Sequence, residues 1–334
     1  MNRERLHEIF SDLKNLSIGV LGDFALDFYY QLNTETGEES LETNKSVFHA
    51  SEPRPVPGGA GTIVNNLIAL GVGDVRCFGM VGNDLFGREL CYLLEQKGAN
   101  TQGILQAGKG WETYVYSKPH VNGIESNRID FGSKNPHSPH DFQQIQGFLS
   151  ETLPRLDVLI LNQQFENGLT SVENLTSLKN ILEAFPLCFV ISDLRDSSGA
   201  FHYGVLKGNI SEINRIGKAF DDLKAHSLME IAKKAHLHSQ SPILMTAGEK
   251  GLVYIDQHQS HKVAGIPLKG PLDITGAGDA CLAAFSACMG IKIAIPEAMD
   301  IANLAAAVSV QKLRETGSAS PDEIRALAAN YPYR

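Results

Sequence analysis

Five short apolar, β-rich runs, residues 17–21, 76–81, 158–161, 188–192 and 243–246, punctuate the chain, and helical spacing fills the intervals between them. The helical stretches cover residues 62–70, 84–97, 141–152, 170–184, 219–235, 278–289 and 296–313. Alternation of this kind constrains the chain to an α/β fold: a largely parallel sheet with helices on both faces. Ser138-Pro139-His140-Asp141 and Ser320-Pro321-Asp322-Glu323 mark two helix starts, each with a capping serine ahead of proline.

Two segments break the rhythm. Residues 31–57 are polar, with four glutamates before Ser51 and then Pro53, Pro55 and Pro57. Residues 111–131 hold a strand-like run from Thr113 to Tyr116, a turn at Asn122-Gly123 and a second run ending at Phe131, the pattern of a hairpin. Both are read as a small β lid at the sheet edge, the plain alternative being an insertion without a role. With no internal repeat or linker, residues 1–334 are expected to form one continuous domain.

The stretch Asp273-Ile274-Thr275-Gly276-Ala277-Gly278-Asp279 feeds the apolar run Ala280-Cys281-Leu282-Ala283-Ala284-Phe285. It reads as a glycine-rich turn opening a buried helix, with Asp279 on the first turn. A helix start exposes N–H groups without internal partners, and small residues let a phosphate approach them. A carboxylate beside such an anion site is out of place electrostatically unless it moves a proton or holds a metal. The combination points to phosphoryl transfer.

Other elements are weaker when taken singly. Gly58-Gly59-Ala60-Gly61 opens a helix and permits close backbone approach to a ligand, or is a tight turn. It is not a dinucleotide fingerprint, because Val64 stands where the third glycine belongs, and the chain has no G-x-x-x-x-G-K-[ST] loop. Asp23 and Asp27 follow the first strand, where ligands of open α/β sheets bind, although either acid could merely cap a turn. Asn209 and Glu212 could share a first helical turn and reach a hydrated Mg²⁺, or form a surface cap. Thr246-Ala247-Gly248-Glu249-Lys250-Gly251 suits a nucleotide lying against backbone, or is an ordinary β-turn.

A formal charge of −9 argues against non-specific nucleic-acid binding. The N-terminus lacks the apolar core of a signal peptide, and no apolar run approaches the ~18 residues of a membrane span. Five scattered cysteines show no C-x-x-C spacing and read as buried thiols of a reducing compartment, so a cytoplasmic location is expected. The close histidine pairs lie on polar stretches and are read as solvated rather than metal-binding.

In order, these elements are Gly22-Asp23, Gly58-Gly59, Asn209-x-x-Glu212, Thr246-x-Gly248-x-x-Gly251 and the Asp273–Asp279 motif. The chain resembles the ribokinase-like (PfkB) carbohydrate kinases over residues 16–321. Within them it looks closest to the heptose-phosphate kinases, on Pro57-Gly58-Gly59-Ala60-Gly61, Asn66, Asp193-Leu194-Arg195 and the tail around Ala305-Ala306-Ala307-Val308. Some of those kinases are fused to a nucleotidyltransferase; with the last residue at Arg334, none is expected here.

The resemblance implies a three-layer αβα fold with a small β lid, and ATP and Mg²⁺ as cofactors. It implies Asp279 as base, with Gly276, Ala277 and Gly278 presenting amides to the migrating phosphoryl group. Asp27, Gly58 and Gly59 would hold the sugar or sugar phosphate. Asn209, Thr246, Gly248, Gly251 and Asn303 would line the ATP site, and Glu212 would act through Mg²⁺ and water. Asp273 and Thr275 fall where many members bind a monovalent cation such as K⁺.

Two departures affect the acceptor side. Thr62 stands where an asparagine usually binds sugar hydroxyls. The middle strand ends in Asn162-Gln163-Gln164-Phe165-Glu166 in an open register, with Gln163 taken as the sugar contact. Arg128, Lys118 and Arg54 lie on the lid segments and suit a substrate phosphate, since guanidinium groups recognise phosphate bidentately; solvated strand residues are the plain alternative. An exposed lid edge also invites pairing between subunits, giving a homodimer. The competing readings are a sugar- or nucleotide-binding protein without catalysis and a dinucleotide-dependent oxidoreductase. Retention of Asp279 speaks against the first, and the missing fingerprint against the second.

Overall fold

The computed structural model describes residues 3–136, 139–165, 168–170, 172–195, 201–218, 220–313 and 316–331. Helix α1 (Arg3–Leu13) leads into β1 (Ser17–Gly22) and β2 (Phe24–Asn33), and β3 (His49–Gly59) returns directly into α2 (Ala60–Leu70). There follow β4 (Asp74–Gly82), α3 (Leu85–Gln96), β5 (Asn100–Ala107), β6 (Tyr114–Val121), β7 (Ile124–Glu125) and β8 (Ile129–Phe131). The middle of the chain supplies α4 (Pro139–Thr152), β9 (Val158–Gln163), α5 (Val172–Leu182), β10 (Phe189–Leu194), β11 (Val205–Asn209), α6 (Ile210–Gly217) and α7 (Leu228–Ser239). The last part holds β12 (Ile243–Thr246), β13 (Leu252–Ile255), β14 (Ser260–Val263), α8 (Ala277–Gly290), α9 (Ile295–Ser309) and α10 (Pro321–Asn330).

Among the described residues, nine strands form the main sheet in the order β14-β13-β12-β11-β10-β9-β1-β4-β5. Its strands are parallel from β5 through β12, and β13 and β14 close the edge antiparallel. Alternate side chains of one strand enter opposite layers. Val20 and Ile160 pack with Leu67, Leu282 and Leu304 of α2, α8 and α9, whereas Leu21 and Leu161 pack with Ile145 and Leu178 of α4 and α5. Leu206 and Met245 meet Ile213 and Ile231 of α6 and α7. The result is three layers, helix–sheet–helix.

The expected strands all form. The helix expected from residue 219 begins later: Ala219 lies outside the described residues, and α7 starts at Leu228, where Ser227 and Glu230 form a reciprocal capping box. Ser320 and Glu323 make the same device at α10. Ser138, the other expected cap, lies outside the described residues, as does Glu166.

β2, β3, β6, β7 and β8 build a second, smaller sheet. It takes up residues from Phe24 onward, earlier than the sequence expectation of about residue 31, because β2 pairs with β3 along its length and with β6 in parallel. At the tip of the β6–β7 hairpin, Asn122 and Gly123 have φ of 52° and 79°, the left-handed pair that a two-residue hairpin turn requires. The two sheets meet at the carboxyl ends of the main strands, and the candidate site lies there.

Candidate active site

Helix α8 begins at this edge. Gly276 precedes it with φ 79°, a conformation that side chains resist, and a Cβ there would lie 2.6 Å from Thr316 Cγ2. No side chain caps the helix, and its first amide, that of Ala277, donates to the Ile274 carbonyl at 3.3 Å. Asp279 sits on that first turn, half-buried, and its carboxyl is pushed up to about 7. Burial is the main cause; Lys207 opposes it, and Asp193 adds to it.

Beneath α8 runs a polar row that the sequence reading missed as a unit. Register pairs Gly22 with Asn162, Asn162 with Asp193, and Asp193 with Lys207 across β1, β9, β10 and β11. Lys207 is buried, and its ammonium lies 2.5 Å from Asp193 Oδ2. The same ammonium would be 3.1 Å from a Cβ built on Gly278, so that glycine makes room for it. Asn162 Nδ2 is buried without a hydrogen-bond partner. A lysine inside the apolar run Val205-Leu206-Lys207 was the available signal; its partner was not visible, because register is a tertiary property.

Gln163, expected as a sugar contact, lies off that row. One residue along β9 from Asn162, it falls in register with Leu194 and so faces the opposite layer, where its Nε2 donates to the Phe165 carbonyl 3.2 Å away. The amide that shares the row under α8 is that of Asn162. Asp23 is likewise not turned to a ligand: its carboxylate accepts from the backbone N–H groups of Gln164, Phe165 and Leu169 at 2.9, 3.0 and 3.0 Å. It clamps the loop after β9.

Across the cleft, Asp27 lies almost buried on β2, paired with Lys118 on β6 at 3.0 Å. Burial raises its pKa and Lys118 counters the effect. The Asp27 carboxylate lies 3.1–3.2 Å from where a Gly58 Cβ would sit, while a Cβ on Gly59 would be 2.4 Å from the Asp23 carbonyl. Thr62 turns its hydroxyl toward the Pro57 carbonyl at 3.4 Å, and its methyl would be 3.6 Å from a Gly276 Cβ, so it supports the helix start. Arg128 makes two bonds to Asp130, at 2.7 and 2.8 Å, and its guanidinium lies 4.2 Å from the Tyr116 ring centre. Arg54 covers the Tyr29 ring at 4.7 Å. Arg54, Lys118 and Arg128 thus share the face of the small sheet that carries Asp27.

The expected nucleotide side collects at the ends of β11 and β12. Asn209 caps α6, and Glu212 Oε2 accepts from the Asn209 N–H at 2.8 Å. Thr246 ends β12; Gly248 and Gly251 follow with φ of 55° and 87°, and a Cβ on Gly248 would meet nothing. Asn303 on α9 donates to the Ala264 carbonyl at 2.9 Å. Asp273 accepts from the Thr275 N–H at 3.0 Å, and its own N–H bonds Val310, tying the turn before α8 to the end of α9.

A family model described as "pfkB family carbohydrate kinase" matches residues 27–322. The bifunctional protein HldE of Sulfurimonas denitrificans is 28% identical over 298 residues, 88% of this chain and 60% of that protein. HldE of Campylobacter fetus is 29% identical over 304 residues, with 89% and 63% covered. The chain therefore spans about three-fifths of the length of these relatives. Among solved structures, phosphofructokinase-2 of Escherichia coli in complex with potassium superposes with a TM-score of 0.74 at 18% identity, covering 94% of this chain and 99% of that one. Ribokinase of Thermotoga maritima gives 0.69 at 20% identity, with 94% and 100% covered. They share the ribokinase-like fold.

Proposed function

The chain belongs to the pfkB family of carbohydrate kinases and is a sugar kinase, and from that premise we propose that it passes the γ-phosphoryl group of ATP to a hydroxyl of a phosphorylated sugar, a heptose phosphate first. The observation that carries the transfer is Asp279 on the uncapped first turn of α8, its carboxyl raised toward neutrality beside Gly276–Gly278. A base matched to the working pH is what removal of a hydroxyl proton calls for. The amides of Gly276, Ala277 and Gly278 hold the phosphoryl group as charge spreads over its oxygens. Asp27 and the Gly58-Gly59 backbone orient the acceptor so that its hydroxyl meets Asp279.

Asn209, Thr246, Gly248, Gly251 and Asn303 line the ATP side; the unfilled space at Gly248 suits a flat group against backbone. Bound Mg²⁺ would neutralise phosphate charge, and the Glu212 carboxylate would hold it through water. Asp273 and Thr275 belong to the turn assigned to a monovalent cation, K⁺ in this reading. A phosphorylated acceptor is supported by Arg54, Lys118 and Arg128 on the Asp27 face, and a heptose by consistency with the heptose-phosphate kinase branch.

On the face of the small sheet opposite Asp27, Phe28 of β2 and Phe131 of β8 flank Phe86 of α3, their ring centres 6.4 and 5.5 Å from it, and Ile129 and Phe131 are exposed. The exposed pair Ile129 and Phe131 supports a homodimer formed through the lid. No helix among the described residues is long and apolar enough to cross a membrane, and the five cysteines are free, in keeping with a cytoplasmic enzyme. ADP release measured over matched sugars and sugar phosphates tests the reading. Turnover confined to phosphorylated sugars is expected; tight sugar binding with no ADP release from any of them would mark a binding protein instead.

A further inference from the structure

A lysine ammonium buried beneath the first turn of α8 has no part in the reading above. Lys207 reaches it from β11, is fixed at 2.5 Å by Asp193 from β10, and occupies the space that a side chain at 278 would need. The ionised groups that act on Asp279 come from several elements: Lys207 from β11, Asp193 from β10, Arg195 just beyond β10 and Asp27 from β2. Arg195 is engaged with the Gln164 carbonyl and side chain at 3.3 and 3.1 Å, and Asp27 with Lys118. Cys281, two residues further along α8, has its thiol pushed up to about 12 and stays neutral. Lys207 thus supplies the leading positive charge at Asp279.

We propose that the Asp193–Lys207 pair is a positioning device for the base: Lys207, pinned by Asp193 under α8, keeps the Asp279 carboxylate charged, and Asp193 limits how far. Burial alone would leave Asp279 protonated and unable to accept a proton at neutral pH. An ammonium nearby restores the anion. The carboxylate of Asp193 orients that ammonium and offsets part of its field, so Asp279 remains basic enough to work near neutrality. The lysine acts through Asp279 rather than on the phosphate, and the inference rests on Asp279 being the base.

The test is the pH dependence of kcat/KM for three variants of the full chain, using the best acceptor found in the ADP-release panel. Lys207→Met moves the acidic limb up by about one pH unit, and Asp193→Asn moves it down, because the two charges act in opposite senses. Because Lys207→Met leaves Asp193 buried without its partner and can fail to fold, the double variant Lys207→Met/Asp193→Asn removes both charges; its limb lies above wild type. Opposite displacements support the device. Limbs that stay together, or move the same way in both single variants, overturn it. Asp279→Asn separates the two readings: if it keeps turnover, the base assignment fails; if it is inactive while the limbs stay together, only the positioning role fails.

Discussion

Asp27 and Lys118, on neighbouring parallel strands of the small sheet, form an ion pair of 3.0 Å whose side chains are only 7% and 11% exposed. The carboxylate stands within 3.1–3.2 Å of where a methyl group on Gly58 would be. Gly58→Ala therefore displaces the carboxylate by a few tenths of an ångström. The expected outcome is a rise in KM for the sugar of about tenfold, equivalent to ~1.4 kcal/mol, with KM for ATP unchanged. Steady-state kinetics with each substrate varied in turn check it.

Asp279→Asn preserves shape and removes the proposed base. Turnover should fall by about 10²–10⁴, roughly 3–5 kcal/mol in the barrier, while the variant still folds and binds ATP. Coupled ADP release and a nucleotide thermal shift, run on one preparation, read both effects. Turnover within threefold of wild type would remove Asp279 from the chemistry.

The same carboxyl affects stability. Its folded value of about 7 lies above the ~3.9 of an unfolded aspartate, so the native state holds an extra proton between those values. Stability from this group is therefore complete below about pH 4 and is lost as pH rises through about 7. Asp279→Asn does not titrate, so it should gain on wild type between pH 5 and pH 8, by on the order of 1–3 kcal/mol after allowing for partial exposure. Urea midpoints at the two pH values measure it; a constant difference would contradict the shift.

Asp23 holds three backbone N–H groups of the loop after β9. Asp23→Ala leaves those buried donors without an acceptor, at a cost of ~2–4 kcal/mol. Denaturant unfolding should show a lower midpoint with an unchanged slope. A midpoint equal to wild type would mean that the loop closes without it.

Arg128 stands over Tyr116 on the face that carries Asp27. Arg128→Ala should raise KM for a phosphorylated sugar by tenfold or more, about 1.5–3 kcal/mol for a charge-assisted contact, and leave that of the matching neutral sugar within twofold. Equal effects on both sugars would exclude a phosphate contact at Arg128.

The main sheet and the start of α8 were legible in the sequence for local reasons. Parallel strands covered on both faces must be apolar throughout, and Gly276 must be glycine because its φ is positive. What escaped was set by neighbours far away in sequence. Asn162, Asp193 and Lys207 become one polar row only when β9, β10 and β11 are placed in register. A shift of one residue distinguishes Asn162 from Gln163, and the apolar run before them allows either. Asn209 and Glu212 were recognisable as a helix start, but their mutual cap was not separable from a metal role until the bond between them was seen.

The small sheet is assembled from excursions that leave the main sheet after β1 and after β5 and then rejoin it at α2 and α4. Its strands pair with one another, yet Phe24 and Leu26 of β2 and Val115 of β6 belong to the same apolar core as Val20, Ile160 and Ile191 of the main sheet. The rim that bears Asp27 and the strands that bear Asp193 and Lys207 are therefore separate hydrogen-bonded ladders resting on one shared core. A change of polar side chain on the Asp27 face leaves both ladders paired, whereas a change at Phe24 or Leu26 is felt in both.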